Sequence, residues 1–491
     1  MAAPAEQADA AAFLLRLAGS TPVETHISLV FVGRDTVWKL KKAVRLAFLD
    51  FTDLAARHRF TLRELVLNQA AAPGLYRDAV PLVRRADGAL ALDEPGEVID
   101  WVLRMARVPH DHFLDEIAAA GKLTPELLDA LGDAIAAYHQ SLASSPREHG
   151  VPEAMRHVAR GNAQSALDAG LPTDAVQAWL ERIMAALDVI APWLTQRGRD
   201  GFVRRAHGDL HLGNLCLWDG KPVPFDALEF DEAMGTIDLG YDLAFLLMDL
   251  DRRVDRAAAN RVLNRYVART GDAALTRGLA VFLSLRAMVR AHVEAKRGNG
   301  ALATQYLDAA SAYLQMQPPL IVAIGGLPGT GKSTLARALA PGLGNAPGAL
   351  VLRSDEVRKR QHGVAPEQRL PQSAYSKSAS KAVSAELAAL ARETASGGHA
   401  VIADATFIDA DDRALVEHAA LATGARFVGL WLEVPIATLE ARITARRGDA
   451  SDATLAVLHS AAGTGAGAGR WVTIDANQAE MALEEARSAL A

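Results

Sequence analysis

The chain has 491 residues, half of them apolar and 22% charged, with 52 basic against 58 acidic residues and a net charge of −6. That length is too great for one hydrophobic core and predicts about three compact units of an ordinary globular protein. The charge excludes a general nucleic-acid surface, leaving room only for a local patch, and the single cysteine, Cys216, excludes an internal disulfide framework and a cysteine-ligated zinc site.

The opening MAAPAEQADAAAFLLRL has two acids and no basic leading region, so no signal peptide is expected. No run of about 18 uncharged apolar residues predicts a membrane span. Cys216, set among apolar neighbours, reads as a buried thiol in a reducing, cytoplasmic setting. The β-rich runs His26–Val32 and Thr36–Lys41 flank Gly33-Arg34-Asp35 as a hairpin, and a helical stretch from about Leu54 to Gln69 carries Glu64. A further strand pair is expected at Ala79–Val83 and Val98–Met105. Beyond Val108 the pattern is mainly helical as far as a linker at Gln315–Pro319, interrupted only around residues 203–230.

That interruption carries the first constellation. His207-Gly208-Asp209 is followed by Asn214 five positions on and by Asp226 twelve beyond that, at the end of the strand-like Val223–Asp226. This is the spacing of a kinase catalytic loop. One carboxylate orients the attacking hydroxyl, while an amide and a second carboxylate hold magnesium against a triphosphate. His207 and His211 lie four apart without the glutamate of a zinc helix, so metal ligation by the pair is not favoured. Asp238 and Asp242 read as capping and loop-pinning groups. Glu229, Asp231 and Glu232 could line an acidic pocket for a cationic acceptor, although acids near a metal site have other uses.

With His-Gly-Asp in place of His-Arg-Asp, and with Ile237-Asp238-Leu239-Gly240-Tyr241-Asp242 downstream, residues 20–315 resemble the aminoglycoside phosphotransferase and choline kinase branch of the kinase-like fold. The resemblance implies that Asp209 is the catalytic base and that Asn214 and Asp226 are metal ligands. By the same resemblance Lys39 is the strand lysine on the phosphates, with Glu64 its helical partner. A solvated strand lysine is the alternative for Lys39, since Lys41 and Lys42 are adjacent. No glycine-rich loop is present; Thr25-His26-Ile27-Ser28 stands in its place.

After the two prolines of the linker, which cannot continue a helix, the apolar run Leu320–Ile324 leads into Gly326-Leu-Pro-Gly329-Thr330-Gly331-Lys332-Ser333-Thr334, a complete phosphate-binding loop between a strand and a helix. Lys332 would reach the β- and γ-phosphates and Ser333 would ligate Mg²⁺. Apolar runs at Ala349–Leu352, Ala400–Ala403, Phe427–Leu432 and Trp471–Ile474 alternate with helical segments and predict a parallel sheet covered on both faces. Gly463–Gly469 reads as a flexible loop. Asp355, following the second strand, suits a base for an acceptor hydroxyl or a helix cap. Asp404 ends the third strand as a magnesium-side carboxylate. Arg442 and Arg446, four apart on one helix face, suit either the charge developing on a transferred phosphoryl group or salt bridges with Glu440. Tyr375–Lys381 suits either a segment that closes over the acceptor or, the favoured reading, a polar surface helix.

This second set resembles the small P-loop kinases grouped with polynucleotide kinase, gluconate kinase and chloramphenicol phosphotransferase. The resemblance implies Asp355 as base, Arg358 as an acceptor-side contact and Arg442 to Arg447 as a lid. The expected fold is an α+β bilobal protein-kinase-like domain followed by an α/β P-loop domain with a parallel sheet. Its parts are a β-rich lobe (1–108), a helical lobe (109–317) and the P-loop domain (318–491). The fused order is similar to bacterial proteins described as bifunctional phosphotransferase and ATP-binding proteins. It implies ATP and Mg²⁺ as cofactors and a small-molecule hydroxyl acceptor at each of two sites. The alternative keeps catalysis in the P-loop domain alone and makes the first half a nucleotide-binding regulatory module.

Overall fold

A computed structural model describes residues 4–46, 49–144, 149–445, 451–463, 467 and 469–490. They form two compact units, residues 1–146 with 199–246 and residues 147–198 with 247–491.

The first unit is built on β1 (Val23–Glu24), β2 (Ser28–Val32) and β3 (Thr36–Lys41), a small hairpin of β4 (Arg45–Leu46) and β5 (Leu49–Asp50), then β6 (Tyr76–Arg84), β7 (Leu90–Leu92) and β8 (Glu97–Ala106). All but the small hairpin join one antiparallel sheet in the order β1-β2-β3-β8-β6-β7. Strand β3 alternates in period two. Leu40 joins Leu29 and Phe31 in a core closed by Ala10 and Leu14 of the helix Ala8–Ala18, with Trp38 packed against it. Lys39 and Lys41 share the opposite face, where the helix Leu54–Gln69 brings up Glu64. That helix starts at Asp53, whose carboxylate accepts the Ala56 N–H at 3.2 Å. In the same unit β9 (Val203–Arg205), β10 (Leu215–Trp218), β11 (Lys221–Pro224) and β12 (Thr236–Asp238) pair as β9 with β12 and β10 with β11. The segments 206–214 and 225–231 lie between these pairs.

The second unit carries a five-stranded parallel sheet of β13 (Leu320–Gly326), β14 (Leu350–Arg353), β15 (Val401–Asp404), β16 (Arg426–Glu433) and β17 (Val472–Asp475), ordered β14-β15-β13-β16-β17. Val322, Ile324, Ile402 and Leu430 lie in its core with Leu335 and Leu339 of the first helix after the loop. The apolar runs that form β13, β14, β15 and the middle of β16 are therefore strands buried on both faces, as expected of a parallel sheet, while the edge strand β17 is largely exposed.

The helices Arg256–Thr270, Thr276–Lys296 and Gly300–Ala312 belong to this unit as well. The first of them completes the sheet's edge. Val351 N–H donates to Asn264 Oδ1 at 2.6 Å, and the Asn260 and Asn264 amides donate to Ala349 O at 3.0 and 3.3 Å. Side-chain amides thus satisfy backbone groups of β14 that an absent neighbouring strand would otherwise take. Helical periodicity alone carries no sign of this role. Glu367 adds a second attachment, 2.9 Å from Arg265 and from Arg269. Among the described residues no helix is long and apolar enough to cross a membrane.

Candidate active sites

In the first unit the helix face and the strand face meet through charge. Lys39 Nζ lies 2.7 Å from Glu64 Oε1 and 2.6 Å from Asp226 Oδ1. Burial would push the Lys39 ammonium toward neutrality, but Asp226, Glu64 and Glu229 hold its pKa well above the ordinary value. Burial likewise opposes charge on Glu64, yet Lys39 and Lys41 bring its carboxyl down to about 2. Lys39 is therefore no solvated strand lysine. Neither are its neighbours: Lys41 and Lys42 are 1% and 3% exposed. Lys41 Nζ donates to Glu64 Oε2 at 2.7 Å and forms a second buried pair with Glu229. Lys42 bonds Glu24 at 2.8 Å and the Thr25 carbonyl at 2.7 Å. The β1–β2 connection at Thr25–Ser28 is a tight turn in which Ser28 N–H donates to Thr25 Oγ1 at 2.9 Å.

The catalytic-loop spacing folds as a hydrogen-bonded hook. Asn214 Nδ2 donates to the backbone and side-chain oxygens of Asp209, both at 2.9 Å, and Phe225 N–H donates to Asn214 O at 3.0 Å. The segment bearing Asp226 is thereby joined to the loop bearing Asp209. Asp226 has φ 62, a left-handed backbone that a non-glycine residue adopts only when its surroundings over-determine it. Here Asp226 N–H donates to the Tyr76 hydroxyl and Ala227 N–H to Asn68 Oδ1, both at 2.9 Å. Asp242 pins the other end, accepting His207 N–H at 3.0 Å and Gly208 N–H at 2.8 Å, with His139 Nε2 at 3.2 Å. Asp238 caps its own turn through Gly240 N–H at 2.7 Å. Burial holds His207 below the usual imidazole range, and its Nε2 meets the Phe225 carbonyl at 2.8 Å. Cys216 is buried and its thiol is pushed up to about 12.

The acids downstream of Asp226 each have a nearby partner. Glu229 is buried against Lys41, Asp231 caps the turn Glu232–Gly235, and Glu232 pairs with Arg63 at 2.7 Å and Arg205 at 3.2 Å. Lys41, Glu229, Tyr76 and Asn68 were not singled out as site residues by motif. Only the i,i+2 spacing of Lys39 and Lys41 could have shown that both face the same way.

In the second unit a cavity of about 1590 Å³ opens over the phosphate-binding loop. Gly326, Gly329 and Gly331 have φ 138, 91 and 93, and a Cβ on Gly326 would sit 2.7 Å from the Leu432 carbonyl. Only glycine permits this cradle. Lys332 Nζ donates to the carbonyls of Gly326 and Leu327 at 3.0 Å each, inside the loop, and Ser333 Oγ donates to Asp404 Oδ2 at 2.5 Å. Thr330 is buried in the turn and Thr334 lies in the first helical turn beside the cavity. Backbone amides at a helix start, an ammonium, a hydroxyl and a carboxylate are the donor set that a magnesium triphosphate requires. Asn214 and Asp226 offer the corresponding oxygen ligands in the first unit.

Asp355 lies inside the helix Ser354–Gln361, whose N-cap is Arg353, so it does not serve as the cap. Burial raises its pKa above the carboxylate norm against the pull of Arg353, and Ser451 hydrogen-bonds its carboxylate. Arg353 also lies 3.5 Å from Asp404. Arg358 donates to the Ala374 carbonyl at 2.8 Å and stacks on Tyr375, its guanidinium carbon 4.8 Å from the ring centre. Arg442 donates to the carbonyls of Ala476 and Asn477 at 3.1 and 2.9 Å, with Gly329 O at 3.5 Å, while Glu440 faces His459. Its two short contacts are therefore with the turn after β17 and its longest with the phosphate-binding loop. Arg446, Arg447, Asp449 and most of the loop Gly463–Gly469 lie outside the described residues. The Tyr375 hydroxyl donates to Asp452 at 2.5 Å, and Asp452 also takes Lys359 at 2.6 Å and Leu370 N–H at 3.1 Å. Tyr375, Ser451 and Asp452 all line the cavity.

Comparison with known proteins finds two family patterns in succession along the chain. The pattern of the phosphotransferase enzyme family matches residues 34–279, and that of an AAA domain matches residues 321–464. An uncharacterized protein of Mycobacterium tuberculosis is 30% identical over 460 residues, covering 88% of this chain and 87% of its own, and one of Mycobacterium bovis matches equally. Among solved structures, a choline/ethanolamine kinase family protein from Mesorhizobium loti is 14% identical. It covers 63% of this chain and 95% of its own at a TM-score of 0.36. A gluconokinase from Sinorhizobium meliloti is 21% identical over 35% of this chain and 91% of its own, with a TM-score of 0.26. A protein-kinase-like fold with the phosphotransferase pattern, followed by a parallel-sheet P-loop domain, makes this chain a member of the phosphotransferase enzyme family and an ATP-dependent kinase.

Proposed function

We propose that the chain holds two sites, each transferring the γ-phosphoryl group of ATP to a hydroxyl group of a small-molecule acceptor. The boundaries that go with this reading are a β-rich lobe to about 108, a helical lobe to 317 and a P-loop domain from 318, in a cytoplasmic protein. The observation that carries it is the placement of Lys39 between Glu64 and Asp226, in a chain that also retains a complete phosphate-binding loop at Lys332 and Ser333.

In the first site Lys39 would contact the α- and β-phosphates while Glu64 orients it, and Asn214 and Asp226 would hold Mg²⁺. Bound magnesium supplies charge neutralisation on the triphosphate. Asp209 accepts the proton of the acceptor hydroxyl as that oxygen bonds to the γ-phosphorus and the bond to the β–γ bridging oxygen breaks, leaving ADP. In the second site Lys332, Ser333 and Asp404 would hold the magnesium nucleotide, Asp355 takes the proton, and Arg442 steadies the loop from Gly329. Arg358 and Tyr375 border the acceptor side. Positioning and electrostatics supply most of the rate in such transfers, so one reaction can run on two unrelated folds.

The test is to make Asp209→Asn and Lys332→Ala separately in the full chain and measure ADP formation against a panel of hydroxylated metabolites. Two acceptors, each lost with one variant, are expected. Unchanged transfer in both variants overturns the reading. Full activity in Asp209→Asn with retained ATP binding assigns catalysis to the P-loop domain alone.

A further inference from the structure

We infer that Lys41 and Glu229 form a tether that holds the Asp226 segment in register with strand β3 while Lys39 and Asp226 engage the magnesium nucleotide. The inference rests on reading the first unit as a nucleotide site.

Lys39 and Lys41 are two residues apart on one face of β3, so their stems rise about 7 Å apart along the strand. Across from them Asp226 and Glu229 are three residues apart on one segment. The strand therefore grips the segment at two points, Lys39 on Asp226 at 2.6 Å and Lys41 on Glu229. Glu64 braces both points, giving Oε1 to Lys39 and Oε2 to Lys41 at 2.7 Å each.

The two grips differ in depth. The Asp226 side chain is 41% exposed and can reach a ligand, whereas the side chains of Lys41 and Glu229 are 2% and 4% exposed. When Lys39 turns its hydrogens to phosphate and Asp226 turns its oxygens to metal, the outer pair loosens. The inner pair meets no ligand and keeps the segment in place. The backbone anchors of this segment, Tyr76 on Asp226 N–H, Asn68 on Ala227 N–H, Asn214 on Phe225 N–H, and His207 and Arg205 on Leu228, do not run to the strand that carries Lys39. A buried ion pair adds little net stability over an apolar pair, and its best-attested use is to fix one arrangement among several. Here the arrangement is the distance between the phosphate-binding lysine and the metal-binding aspartate.

The experiment uses the full chain with Lys332→Ala, which removes the nucleotide grip of the other site, and titrates a non-hydrolysable ATP analogue by calorimetry with Mg²⁺ and again in EDTA. Glu229→Gln is expected to weaken the magnesium-dependent binding by roughly 10- to 100-fold, the usual effect of losing an outer partner of a metal site. The EDTA titration should stay within about twofold, which also reports that the variant is folded. Lys41→Arg, which keeps the charge, should restore most of the affinity that Lys41→Met loses. Equal losses with and without magnesium, or no loss, overturn the tether. Absence of any binding in the Lys332→Ala parent overturns the site reading itself, before residue 41 or 229 is changed.

Discussion

Lys39 Nζ stands 2.6 Å from Asp226 Oδ1 although 187 residues separate them, and Glu64 holds the same ammonium at 2.7 Å from the other side. This bridge joins the sheet to the segment that follows the catalytic loop, and it sets what substitution should do. Lys39→Met in the Lys332→Ala chain is expected to lower phosphoryl transfer by roughly 10²–10³-fold, the cost of losing one electrostatic contact to the developing charge. Single-turnover transfer from radiolabelled ATP measures it, and a loss under twofold would sink the assignment.

Asp355 offers a pH signature. Its carboxyl must be ionised to accept a proton, and burial raises its pKa while Arg353 only partly offsets that. Transfer at the P-loop site should therefore fall as pH drops through a value above the ordinary carboxylate range. In Asp355→Asn that acid limb should vanish and kcat should fall by roughly 10²–10⁴-fold. A profile in the Asp209→Asn chain isolates this site, and an acid limb unchanged by Asp355→Asn counts against the base.

The edge of the parallel sheet should depend on one helical amide. Asn264→Leu leaves the Val351 N–H without its 2.6 Å acceptor. A buried orphan donor costs about 1–3 kcal/mol. Denaturant unfolding followed by tryptophan fluorescence should show this as a lowered midpoint, and an unchanged midpoint would mean that water replaces the amide.

His399 adds an acid sensitivity. It is fully buried beside the Gly348 carbonyl at 2.9 Å, and burial lowers its pKa to about 4 from 6.5. A base whose folded pKa is depressed contributes its stability above the unfolded value and loses it as pH falls toward the folded one. The second unit should thus weaken between pH 6.5 and about 4, by up to roughly 3 kcal/mol from this group. Unfolding midpoints across that window should flatten in His399→Gln; an equally steep decline would assign the effect elsewhere.

Both sites were partly legible beforehand because their chemistry is written in short spacings. Asp209, Asn214 and Asp226 fall within eighteen residues, and Gly326 to Ser333 within eight, so hydrogen bonds between near neighbours shape each loop. The strands around Lys39 were legible from period-two alternation, although β6 and β8 run beyond the expected ends, to Tyr76–Arg84 and Glu97–Ala106. What escaped was partnership. No short spacing pairs Glu229 with Lys41 or Tyr375 with Asp452, which lie 188 and 77 residues apart.

The amino-acid sequence by itself determined the backbone chemistry of this protein: glycines where a cradle needs left-handed turns, a lysine and serine at its rim, and a base, amide and acid at kinase spacing. Only the tertiary structure decided which charge answers which. Lys41 finds Glu229 across 188 residues, and Asn264 finds the edge of β14 across 87. The physical reason is range. A hydrogen bond within a turn is settled by the torsions of a few residues, but the partner of a buried charge is settled by whichever packed elements carry both groups out of water together.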